Sequence, residues 1–158
     1  MTTPNNDAAM VQRRYARIAG AAYIANYATA VLGTMLPMWI TGDGSFSERA
    51  SRVVEGESLY RWSMVSMSVS WILIVVLAYS LYVTLAPVNK RLAQMALFME
   101  TCQAAIGAMS VVFSFASLKL YAAARLSLTD IAVNESVNAA LQAAAGSGFQ
   151  IGMMFLGV

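Results

Sequence analysis

The sequence predicts an all-α fold: a polytopic transmembrane helix bundle with three full spans and a partial fourth, and short extramembrane helices in the outer loops. Two observations carry this. The 158 residues are 59% hydrophobic and only 11% charged, against about 25% charged in soluble domains. A water-facing surface would lack polar atoms, whereas lipid-facing positions can be as apolar as core ones. The uncharged stretches are also long, since residues 18–40 and 63–85 hold no Asp, Glu, Lys or Arg.

The elements follow in order. Residues 1–12 are polar without an apolar period and are expected as a disordered tail, leaving 13–158 as a single transmembrane domain. Arg13, Arg14 and Arg17 then precede the first span, 18–40. As a helix this span is about 34 Å long, enough for about 30 Å of hydrocarbon. A signal peptide shares the basic-then-apolar order. This run is too long for one, and it ends Leu36-Pro37-Met38-Trp39 rather than at a small-residue cleavage site. Trp39 suits the membrane interface.

Residues 41–62 form a polar loop opening with Gly42, Asp43 and Gly44. Ser47 is expected to cap a short surface helix running through Arg61. The second span, 63–85, is stopped by Pro87, and Asn89, Lys90 and Arg91 make a turn. The third span, 92–118, contains a single acid, Glu100. A mixed segment follows, with a helix expected over 129–145 that leads into a last apolar stretch, 143–158. That stretch is only about 24 Å long as a helix, so the sequence is expected to be a fragment of a longer protein. Placing the N-terminus inside sets Arg13, Arg14, Arg17, Lys90 and Arg91 on the cytoplasmic side, close to span ends where the positive-inside bias acts most strongly.

The chemistry is sparse. The net charge of +2 and the scattered basic residues give no reason to expect nucleic acid. With no His and a single cysteine, Cys102, there is no His-containing zinc site, no internal disulfide and no imidazole base. No cofactor, metal or catalytic residue is expected. Met95 and Met99 lie one turn apart and thioethers suit Cu(I), but Met is also ordinary core filler. Asn134-Glu135-Ser136 fits a glycosylation sequon, a pattern common by chance.

What remains is a set of polar and small residues at helical spacing. Glu100, Gln103, Gly107, Ser110, Ser114 and Ser117 form one stripe on the third span. Asn26, Thr29 and Gly33 repeat the pattern on the first, Ser63, Ser66 and Ser70 on the second, and Gly148 and Gly152 on the fourth. One reading is packing: Gly33, Ser66, Ser70, Gly107, Ser110, Ser114, Gly148 and Gly152 let helices approach closely in lipid. The other is a polar pathway. An acid within a span costs a few kcal/mol unless paired or protonated. Asn26 and Glu100 each lie about 12 Å from the start of their spans. A cluster of Asn26, Glu100 and Gln103 is therefore expected, with Tyr79 or Ser80 within reach. The function expected is that of a non-catalytic structural or accessory component, associating with the bilayer and with a larger membrane complex or its own copies. The alternative is a small transporter or channel with Glu100 in its path.

Three phrases carry a family resemblance: Arg17-Ile18-Ala19-Gly20, Leu85-Ala86-Pro87-Val88-Asn89-Lys90-Arg91-Leu92-Ala93, and Gly148-Phe149-Gln150-Ile151-Gly152 with Phe155-Leu156-Gly157. Together they resemble a bacterial multi-pass membrane family, the domain of unknown function numbered forty-three eighty-six. The resemblance runs from about Arg17 to the end of the chain. It implies about six membrane helices, a place in the bacterial cytoplasmic membrane and no particular chemistry. Many members have a His shortly before the Gly-Phe pair, where this sequence has Ala143-Ala144-Ala145-Gly146-Ser147, so no role of that His carries over.

Overall fold

The computed structural model describes residues 4–126 and 131–155. Among these are five α-helices and no strand: α1 (Pro4–Thr41), α2 (Phe46–Glu55), α3 (Glu57–Leu85), α4 (Lys90–Leu126) and α5 (Ile131–Phe155). The long helices α1 and α3 run antiparallel, as do α3 and α4, and α4 and α5. Packing follows that order, α1 on α3, α3 on α4 and α4 on α5, with α2 lying against α4. Among the described residues α1 and α5 do not form a closely packed pair.

Two helices, Glu57–Leu85 and Lys90–Ala124, are long and apolar enough to cross a membrane. The expectation of three full spans is therefore met by two. In α1 the polar and small residues Asn26, Thr29, Gly33 and Thr34 dilute the apolar run. The expected tail also differs, because α1 already begins at Pro4. Proline suits a first turn, where the N–H it lacks would have no partner.

The surface helix expected from Ser47 through Arg61 is two helices. Ser45, not Ser47, is the N-cap of α2: its hydroxyl accepts from the Glu48 N–H, and the Glu48 carboxylate accepts the Ser45 N–H at 2.9 Å. This reciprocal pair satisfies two of the otherwise free first-turn donors. The Ser45 backbone N–H holds the Glu48 carboxyl below its usual range, and the Ser45 hydroxyl and Arg52 add to this. Gly56 then ends α2 and α3 begins at Glu57. Upstream, Gly42 takes φ +53 directly after α1, the left-handed step that glycine adopts without strain. Arg52 of α2 donates to the Thr41 carbonyl at 2.6 Å and to the Asp43 carbonyl at 2.7 Å. A guanidinium on the last carbonyls of α1 complements the negative end of its dipole and fixes α2 across the helix end.

The apolar face of α2 packs inward, not outward. Phe46, Ala50 and Val53 are buried, and the Phe46 ring stacks on Tyr121 of α4 with centroids 5.4 Å apart. These join Tyr60, Met64, Trp71, Val111 and Leu118 in the main core. At the other end of α3, the Asn89 side chain accepts the Leu92 N–H at 3.1 Å, so the turn after Pro87 ends in a cap for α4.

Candidate functional site

The α1–α3 seam is built from the small and polar residues the sequence marks. Ser70 donates to Asn26 Oδ1 at 2.6 Å, and Ser66 donates to the Thr29 carbonyl at 2.9 Å. Gly33 lies close against Met67, whose backbone N would be 3.1 Å from an added Cβ. Hydroxyls on one helix thus bond to the neighbouring helix, which fixes the pair's register.

At the α3–α4 seam, Trp71 lies over Gly107, and a Cβ there would overlap the indole ring. Gly107 is the position that admits a tryptophan between two helices. One turn earlier, Gln103 is 2% exposed, and among the described residues neither its Oε1 nor Trp71 Nε1 has a hydrogen-bond partner. Both atoms are buried.

The expected cluster of Asn26, Glu100 and Gln103 is not brought together. Asn26 pairs with Ser70, whose neighbour Trp71 sits on Gly107. Asn26 is therefore level with Gly107, about 10 Å along α4 from Glu100. Glu100 is half-buried, with no hydrogen bond or ion pair among the described residues. Of its expected neighbours, Ser80 is buried and donates to the Val76 carbonyl, and Tyr79 packs edge-on against Tyr15. Met95 is largely exposed and lies on the outer surface of α4.

The best-connected polar group lies at the α4–α5 seam, and sequence reasoning found only Ser117 of it. Ser117 is fully buried and donates to Asn138 Oδ1, while Gln142 Nε2 donates to Ser117 Oγ at 2.8 Å. Asn138, Ser117 and Gln142 thus join α4 to α5 next to the Phe46–Tyr121 stack, and Tyr60 of α3 lines the same cavity as Gln142. A signal was available: Asn134, Asn138 and Gln142 recur every fourth residue and mark one face of α5. Gly148 of the same helix leaves ordinary contact space beside Ile106. The surroundings of Gly152 lie outside the described residues.

Between α1 and α5 this network borders a cavity of about 110 Å³, lined by Gly33, Pro37, Tyr60, Ser63, Met64, Met67, Ser110, Val111, Ser114 and Gln142. Its lining mixes hydroxyls and an amide with apolar side chains. A larger, almost wholly apolar groove of about 570 Å³ runs along α3 and α4 past Trp71, Ala104, Ala108 and Val112. Among the described residues no three His, Cys, Asp or Glu side chains are grouped to hold a metal.

The fold and these seams define an all-α chain whose long helices are joined by neutral hydroxyls and amides. The model of the family described as Domain of unknown function (DUF4386) matches residues 18–158, and the chain belongs to that family. No curated protein and no solved structure matches it.

Proposed function

We propose that the chain is an integral membrane protein with a non-catalytic role, packing with other membrane helices as an accessory or structural component. The observation that carries this is the outer surface of the long helices. Ile24 of α1 is 71% exposed, Ile72 of α3 63% and Phe98 of α4 66%, while Asn26, Ser66, Ser70, Ser117 and Asn138 bond across the seams. Such a surface in water exceeds the apolar patch a soluble monomer tolerates, whereas lipid solvates it. On this reading α1, α3 and α4 are the full spans and the apolar part of α5 is the partial fourth. The starts of α1 and α4 share one end, so Arg13, Arg14, Arg17, Lys90 and Arg91 gather on the cytoplasmic face of a bacterial inner membrane.

The test is alkaline extraction followed by crosslinking in native membranes. Retention in the washed pellet, with a stoichiometric crosslinked neighbour or a self-crosslink, is the expected result. Release into the supernatant would refute membrane integration.

The transport alternative draws support from the cavity beside Ser110 and Ser114 rather than from Glu100, which is far from that hollow along α4.

A further inference from the structure

The serine hydroxyls on the walls of the α1–α5 cavity share one hydrogen-bond direction. Ser63 donates its proton to the Tyr60 carbonyl at 2.6 Å, Ser110 to the Gly107 carbonyl at 2.6 Å and Ser114 to the Ser110 carbonyl at 3.1 Å. Each hydroxyl proton is committed to its own helix, so each oxygen offers the hollow lone pairs. Pro37 adds to this. It lies inside α1 and lacks the N–H that would bond the carbonyl of Gly33, four residues earlier. Gly33 and Pro37 both line the cavity. The wall therefore carries these acceptors beside the Tyr60 hydroxyl and the Gln142 amide.

Among its described lining residues there is also no Asp, Glu, Lys or Arg. A charged guest would leave water with no counter-ion, which costs several kcal/mol. A neutral guest with N–H or O–H donors avoids that cost and pairs the exposed oxygens. The volume, about 110 Å³, exceeds the roughly 10–15 Å³ that one water requires. Gln142 is exposed at the edge of the hollow, which gives a way in.

We propose that the cavity between α1 and α5 is a binding site for small, neutral hydrogen-bond-donating solutes, water among them, held by the Ser63, Ser110 and Ser114 oxygens and the Gly33 carbonyl. This goes beyond membrane packing and does not depend on it.

Cysteine reporters in the full chain test it, with Cys102→Ala as background. Ser110→Cys and Ser114→Cys, one turn apart, are treated with neutral methyl methanethiosulfonate and with its trimethylammonium and sulfonate analogues. Helical content and monodispersity identify a folded variant, and either reporter suffices if the other fails. A wetted thiol ionises and reacts, whereas one in apolar surroundings does not. The expected result is labelling by the neutral reagent at least about tenfold faster than by either charged one, slowed by excess formamide. Absence of labelling in a folded variant would overturn the proposal, as would equal rates for all three reagents or no effect of formamide. Val112→Cys, in the apolar groove, serves as a separate control. Its rapid reaction with the charged reagents would count against the membrane reading and leave the cavity result intact.

Discussion

In its first half α4 buries Gln103 and leaves Glu100 half-exposed, and among the described residues neither Gln103 Oε1 nor Glu100 has a partner. In its second half the same helix buries Ser117 completely and bonds it to both Asn138 and Gln142. The two halves differ in what faces them. The first half faces α3 through a ring–glycine contact, which is a matter of shape. The second faces α5 through donors and acceptors that match one another. A buried polar group contributes to helix association only when its neighbour completes it. Otherwise it carries the cost of desolvation.

The largest effect expected is at the shape-dependent contact. Gly107→Val puts side-chain atoms where the Trp71 ring lies, and overpacking of this kind costs about 1–3 kcal/mol. Unfolding by a denaturing detergent should show the loss, and Trp71→Leu in the same chain should recover part of it. Additive losses would mean that the two residues do not share the contact. Gln103→Leu sharpens the contrast from the other side. It removes an unpaired buried acceptor at similar volume, so stability should stay level or rise by up to about 1 kcal/mol. A clear loss would show that Gln103 has a partner.

The smallest effect concerns α2, outside both halves. The Glu48 carboxyl is held below its usual value by Ser45, so its contribution is present above the ordinary carboxylate range and is lost as pH falls through the lowered value. Glu48→Gln should therefore weaken the chain at neutral pH and make no difference at a pH below the lowered carboxyl value. An equal penalty at both would mean that the charge is irrelevant to the cap.

The helices themselves were legible because the uncharged runs and the Pro87–Asn89 stop are local signals. The seams at Gly33, Ser66, Ser70 and Gly107 were legible for a related reason, since small residues at helical spacing mark close approach whatever the partner. The Glu100 cluster was not, because depth had been counted from the apparent start of each span. Register is set by packing instead, here by Ser70 on Asn26 and Trp71 on Gly107. Asn138 and Gln142 were passed over because they lie in a mixed segment outside the apolar run, though they share one helix face. The α2 cap was placed two residues late because several serines in the loop can cap, and the Glu three residues on is what singles out Ser45.

The packing described above makes neutral hydrogen-bonded seams, and not the acid of α4, the features that hold these helices together. The most direct test compares Asn138→Ala with Glu100→Gln in one detergent-unfolding series. The expected result is a loss of about 1–2 kcal/mol for Asn138→Ala, which strips Ser117 of its acceptor, and a change within about 0.5 kcal/mol for Glu100→Gln. The reverse order, with Glu100→Gln the more damaging, would contradict it.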